Sequence, residues 1–164
     1  MKLRAGFKYT FEVIDKLGRV IDTFEEHNLM PTEGLNHMLS AVFKAATQVP
    51  TWYIGLYEGN YTPAGTDTAA TFPAAATEST AYTSATRVAW VPGTAAAGVL
   101  DNTASKAEFV GNATKTLYGG FMSSVAAKGA TTGTLISAVR FSSPRTLDAD
   151  STLRVTAGIT LTPA

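Results

Sequence analysis

The sequence predicts a mainly β protein, an antiparallel β-sandwich or jelly-roll-like fold with about eight strands and one short amphipathic helix. Three observations favour this class. Most apolar runs are short and alternate with polar residues, turn-forming residues separate them at short spacings, and only one stretch has helical periodicity. The 164 residues fit one domain, which is predicted to cover 1–164.

A β-hairpin is predicted at the N-terminus. Apolar residues there alternate with polar ones, which is the period of a half-buried strand. These apolar residues are Phe7, Tyr9, Phe11 and Val13. Residues 15–18 are predicted to turn, with Gly18 supplying a positive φ, and residues 19–27 return as the second strand.

The predicted helix follows this hairpin. Pro31 suits a first turn, and the carboxylate of Glu33 is favourable near the positive end of the helix dipole. Five apolar residues then form one stripe at helical spacing, and we expect this stripe to pack on the sheet. The stripe consists of Leu35, Met38, Leu39, Val42 and Phe43. Because Leu39→Asp would place a carboxylate in that packed face, it is predicted to prevent soluble folding.

Residues 51–57 form the most apolar strand, which is predicted to be central. Further strands are predicted at 87–91, 106–110, 114–125, 134–141 and 153–161. Gly119 and Gly120 interrupt one of them and indicate a bulge or a close backbone approach.

Residues 59–86 are predicted to be a long, ordered, low-charge excursion, with a short helical turn at 67–71, that contributes little to the core. The segment contains two charged residues before Arg87 and no alternation, yet it is too long to be an idle connection. Its aromatic residues are predicted to bind partners, because a few aromatics contribute most of the energy of many interfaces. These are Tyr61, Phe72 and Tyr82. A short linker in place of 64–80 is therefore predicted to leave the protein folded.

Charge and composition favour protein partners. Thirteen basic and thirteen acidic residues give a net charge of zero, whereas a nucleic-acid-binding protein normally carries a basic excess. Charged residues are 16% of the chain, which suits a surface that packs against other proteins. Lys8 interrupts the position of a signal-peptide apolar run, and the longest uncharged apolar stretch is too short to span a bilayer. We expect no nucleic-acid or membrane partner.

Catalytic and cofactor chemistry is not predicted. The sequence contains no recognised catalytic or nucleotide-binding signature, and it has two histidines and no cysteine. Glu33 and His37, joined by His27, could form a metal site, but a solvated helical pair is favoured. Asp148 and Asp150 are predicted to form a turn between two strands rather than a carboxylate pair. We therefore expect no catalytic residue, no metal site, no cofactor and no enzymatic activity.

Five aromatic residues leave a sugar-binding groove open as an alternative, because such grooves need aromatic faces but not charge. They are Trp52, Tyr53, Tyr57, Tyr61 and Tyr82. Trp52 and Tyr53 would point to opposite faces of their strand, so at least one of them is expected in the core.

Three stretches resemble a family of small virion proteins of tailed bacteriophages. The first is 27–39, HNLMPTEGLNHML, and the second is 52–60, WYIGLYEGN. The third is a C-terminal pattern made of 107–109, 116–121, 135–141 and 150–156. The resemblance implies a capsid cement (decoration) protein with a jelly-roll-like fold and no catalytic residues.

The cement role implies specific partners and a location. The expected partners are further copies of the chain, in a dimer or trimer, and the phage major capsid protein. The expected location is the capsid surface of the virion, after assembly in the host cytoplasm, which agrees with the lack of cysteines. A tail or head-fibre module that binds a host-surface glycan is the alternative.

Overall fold

The computed structural model describes residues 6–161. In chain order, the elements of this range are β1 (Phe7–Ile14), β2 (Val20–His27), α1 (Thr32–Phe43), β3 (Trp52–Tyr57), α2 (Phe72–Ala75), β4 (Glu78–Ser79), β5 (Val88–Trp90), β6 (Val99–Asp101), β7 (Ala107–Val110), β8 (Lys115–Ser123), β9 (Leu135–Leu147) and β10 (Thr152–Thr160). The predicted mainly β, antiparallel sandwich is confirmed, with ten strands instead of about eight and a second short helix. The ends of the predicted domain, 1–5 and 162–164, lie outside the described residues.

Two five-stranded antiparallel sheets form the sandwich. The first sheet has the order β2-β1-β10-β6, and β7 also pairs with β10. The second has the order β4-β3-β8-β9, and β5 also pairs with β3. Asn102 fills the gap between β7 and β6 along β10: its side chain accepts a hydrogen bond from the Ala157 N–H (2.7 Å) and donates one to the Val155 carbonyl (3.2 Å).

The N-terminal hairpin is confirmed, and its turn has a clear local cause. A side-chain oxygen of Asp15 accepts hydrogen bonds from the N–H groups of Leu17 and Arg19, both at 2.9 Å. Gly18 has the predicted positive φ, 78°. The turn returns β2 alongside β1 in antiparallel register.

The main core lies between the two sheets, and alternation along β1 and β10 directs every second side chain into it. The Phe11 ring stacks on Phe24 and meets Phe141 edge-on, with ring centroids 4.9 and 4.7 Å apart. Across the sandwich, the Trp90 indole N–H donates a hydrogen bond to the Ala157 carbonyl (2.9 Å). This bond ties β5 of the second sheet to β10 of the first.

One prediction about a glycine and one about a turn are also confirmed. The register between β8 and β9 shifts at Gly119, where a Cβ atom would collide with the Val139 carbonyl oxygen and the Tyr57 ring. Between β9 and β10, Asp148 accepts a backbone hydrogen bond from Ser151 (3.1 Å), and Asp150 has a φ of 65°. The two aspartates thus form a turn.

Candidate interaction surface

The 59–86 segment covers the outer face of the second sheet and forms a second core there. Phe72, at the start of α2, is fully buried, and its ring lies 5.6 Å from Tyr57 and 5.2 Å from Phe121. Ala69 and Ala76 are buried beside it. The prediction that this segment contributes little to the core is therefore wrong. A helical turn was predicted at 67–71, and the structure places the short helix α2 directly after that range, at Phe72–Ala75.

The predicted partner-binding aromatics are mostly internal. Phe72 and Tyr82 are 0% and 1% exposed, so the prediction that they contact a partner is wrong. Tyr82 belongs to the main core, where its ring meets Phe109 edge-on at 5.0 Å and burial raises the pKa of its hydroxyl. Tyr61 is partly buried, and its hydroxyl donates a hydrogen bond to Asp67 (2.7 Å), which raises the pKa of the Tyr61 phenol.

The sugar-binding alternative loses two of its five aromatics for the same reason. Tyr57 and Tyr82 are fully buried, and burial raises the pKa of Tyr57 as it does that of Tyr82. Trp52 packs against the main core, as expected for at least one residue of the Trp52–Tyr53 pair. A continuous stacking surface cannot form from this set.

A buried ion pair, which no sequence pattern predicted, fixes the end of the 59–86 segment. The side chains of Arg87 and Glu78 are 1% and 3% exposed and form two hydrogen bonds of 2.8 and 2.7 Å. Arg87 also donates to the carbonyls of Val125 and Ala130, while the Gly129 N–H donates to Glu78. The pair thus joins β4, the start of β5 and the loop after β8. The one feature of the sequence that could have indicated this pair is the scarcity of other charged residues near Glu78 and Arg87.

Helix α1 is oriented differently from the prediction. It approaches β9 through Gly34, where a Cβ atom would lie 2.8 Å from the Cα and carbonyl oxygen of Ile136. Met38 packs against the core, and the His37 ring stands edge-on to Trp52 with centroids 5.5 Å apart. The sequence contained a signal for this orientation. Two small residues, Gly34 and Ala41, lie four residues before and three residues after Met38, so all three share one side of the helix.

The predicted packing stripe therefore fails for four of its five residues. Leu35, Leu39, Val42 and Phe43 are exposed by 37%, 56%, 68% and 77%. We call these four residues the apolar helix face. Only Met38 of the predicted stripe packs as expected, because close contact with β9 requires the helix to present its smallest side chains.

A cavity of about 340 Å³ lies beside the apolar helix face, between α1, the segment after it and one end of the sandwich. We call it the helix pocket. Its walls are mainly apolar and aromatic and include Phe7, Met38, Val42, Trp52, Trp90 and Ile136. His37 and Gln48 are its polar lining residues, and no lysine, arginine, aspartate or glutamate belongs to the described wall.

Glu33 and His37 do not act as a helical pair. One carboxylate oxygen of Glu33 accepts hydrogen bonds from the N–H groups of Ala69 (2.9 Å) and Leu135 (2.7 Å), which joins α1 to the 59–86 segment and to β9. His37 instead contacts Trp52. Within residues 6–161, no cluster of three His, Cys, Asp or Glu side chains could hold a metal ion. In the same range, neither helix has the length and apolar character needed to cross a bilayer.

No family model, no curated protein and no solved structure matches this chain.

Proposed function

We propose that this protein is a structural component of a tailed-phage virion, a cement (decoration) protein that binds and stabilises the capsid shell. In this role it has no enzymatic activity, and it binds other copies of itself and the major capsid protein. The observation that carries the proposal is the apolar helix face, which is exposed on a sandwich whose two cores are formed by other residues.

An exposed apolar stripe on successive helical turns favours a protein-binding role. The largest contiguous apolar patch on a soluble monomer typically covers roughly 300 to 600 Å² and is often a contact site. Leu39, Val42 and Phe43 are each more than half exposed, and none of them belongs to either core of the described chain. A protein that functions in an assembly gains from covering them.

The assignment to a virion rests on the resemblance of 27–39, 52–60 and the C-terminal pattern to phage virion proteins. The first of these stretches contains Leu35 and Leu39, so the resemblance and the apolar helix face coincide in part of α1. A cement protein must associate around a symmetry axis of the shell and bridge neighbouring subunits. Low charge and an apolar surface suit both contacts.

Particle binding tests the proposal. Purified protein is added to phage particles that lack it, bound protein is separated by sedimentation, and its position is found by immunogold labelling. We expect saturable binding on the head and a higher temperature of DNA release from the particles. Labelling restricted to the tail, or no binding at a large excess of protein, would contradict the cement role.

A further inference from the structure

We infer that the apolar helix face and the helix pocket form one self-complementary interface, on which two copies of the chain pair about a two-fold axis. In this pair, Phe43 of each copy occupies the helix pocket of the other. The inference rests on the proposed function, because it names the surface through which the proposed self-association takes place.

The sizes of the protruding side chain and the cavity agree. Phe43 is the most exposed large apolar residue of the described chain, at 77%. The helix pocket has a volume of about 340 Å³. A cavity of roughly 150 Å³ already holds a benzene ring, so the pocket has room for a phenyl ring and part of a neighbouring side chain. Trp52 and Trp90 in its wall offer edge-to-face partners for that ring.

The positions on the helix fit a two-fold pair. Val42 belongs to both the apolar helix face and the pocket wall. Leu39 and Phe43 lie on one side of it around the helix, and Met38 and Ala41 on the other. In a two-fold interface, residue i of one copy contacts residue j of the other while j contacts i. A two-fold axis that runs next to Val42, parallel to the two helices, places the Phe43 side of each copy opposite the Met38 side of the other, so both Phe43 contacts form at once.

The area and the charge of this surface suit a second copy. The exposed parts of the four residues form one apolar surface, which supplies part of the roughly 800 Å² that each partner contributes to a standard interface. The pocket walls and the exposed residues 44–48 supply further area. Lys44 lies at the C-terminal end of α1, where it can stay solvated, and Glu33 is already bound by two backbone N–H groups. Pairing buries no free charge.

The oligomeric state of four proteins tests the interface by sedimentation equilibrium at about 1 to 100 µM. Phe43→Ser removes the inserted ring, and Ala41→Leu fills the pocket that receives it, because Ala41 is part of the pocket wall. Leu17→Ser is the matched control, because Leu17 is 71% exposed but belongs to the β1–β2 turn. We expect a wild-type dimer, an unchanged Leu17→Ser dimer, and a dissociation constant raised about tenfold or more in the other two variants.

A mixture of the two interface variants tests whether the ring and the pocket meet each other. The Ala41→Leu chain retains Phe43, and the Phe43→Ser chain retains an open pocket, so one Phe43 contact of the two can form between unlike copies. The remaining contact pairs a filled pocket with a missing ring, which avoids a steric clash. We expect the mixed dimer to be tighter than either variant's own dimer; equal affinities would overturn the insertion of Phe43.

The outcomes separate this interface from the proposed function. A wild-type dimer that Phe43→Ser leaves unchanged overturns the interface but leaves the cement role intact, and a wild-type trimer overturns the two-fold pairing. A monomeric wild type overturns both the interface and the proposed self-association. If that monomer bound particles and Phe43→Ser abolished the binding, the apolar helix face would belong to the contact with the capsid protein. Particle binding by a monomeric Phe43→Ser variant supports separate surfaces for self-association and shell binding.

Discussion

Helix α1 and the 59–86 segment occupy positions opposite to those that their sequences suggest. The helix has a regular apolar stripe, yet it leaves four of the five stripe residues exposed. The segment has no periodicity and is rich in Ala and Thr, yet Phe72 and Tyr82 are fully buried. One region thus exposes the apolar residues that were predicted to be in the core, while the other completes a core that it was predicted to avoid.

Close packing explains the difference. The backbone of α1 approaches β9 so closely at Gly34 that a larger side chain would not fit, and this contact determines which face of the helix is turned inward. In the 59–86 segment, small residues such as Ala69 and Ala76 let the chain lie flat on the second sheet while Phe72 fills the space between them. The size of a side chain therefore predicts its burial here as much as its polarity does.

Replacing 64–80 with a short Gly-Ser linker should have the largest effect and reverses the prediction from sequence. The change exposes Tyr57 and Phe121 and leaves the buried Arg87 without Glu78, a loss that by itself costs about 3 to 5 kcal/mol. We expect no cooperative unfolding transition in urea, followed by circular dichroism. Replacement of the exposed loop 93–97 by Gly-Ser of equal length is the control and should stay folded. Near-normal stability of the 64–80 variant would mean that this segment contributes little to the core, as predicted from the sequence.

The same substitution at two phenylalanines compares the regions directly. Phe72→Ala empties a fully buried site and should lower the free energy of unfolding by about 3 to 5 kcal/mol. Phe43→Ala removes an exposed ring and should change it by no more than about 0.5 kcal/mol at concentrations where the protein is monomeric. Urea unfolding of both variants gives the two values, and similar losses would mean that α1 packs through Phe43 after all.

Aspartate at two adjacent helix positions tests the orientation of α1. Leu39→Asp should give soluble, folded protein with a change within about 1 kcal/mol, contrary to the prediction from sequence, because Leu39 is more than half exposed. Met38→Asp should cost about 2 to 4 kcal/mol, because it places a carboxylate against the core. Thermal and urea unfolding should show a larger loss of stability for Met38→Asp than for Leu39→Asp. The opposite order would mean that the predicted stripe does pack on the sheet.

The sequence determined the features whose causes are local. The alternation in β1 predicted which of its side chains enter the main core, the turn at 15–18 predicted the hairpin, and Gly119 predicted a close backbone approach. The mainly β class followed from these elements together. Each depends on residues within a few positions of one another, so a pattern in the chain is sufficient to detect it.

The tertiary structure alone decided which apolar surfaces are covered. The contact of Gly34 with Ile136, the position of Phe72 on the second sheet and the Arg87–Glu78 pair each depend on parts of the chain that meet only after folding. A helical stripe has the same spacing whether a sheet, another copy or water lies against it, and an Ala-rich segment has the same composition whether it is buried or exposed. Burial is a property of the assembled neighbours, so the apolar helix face became visible only when the sheets were in place.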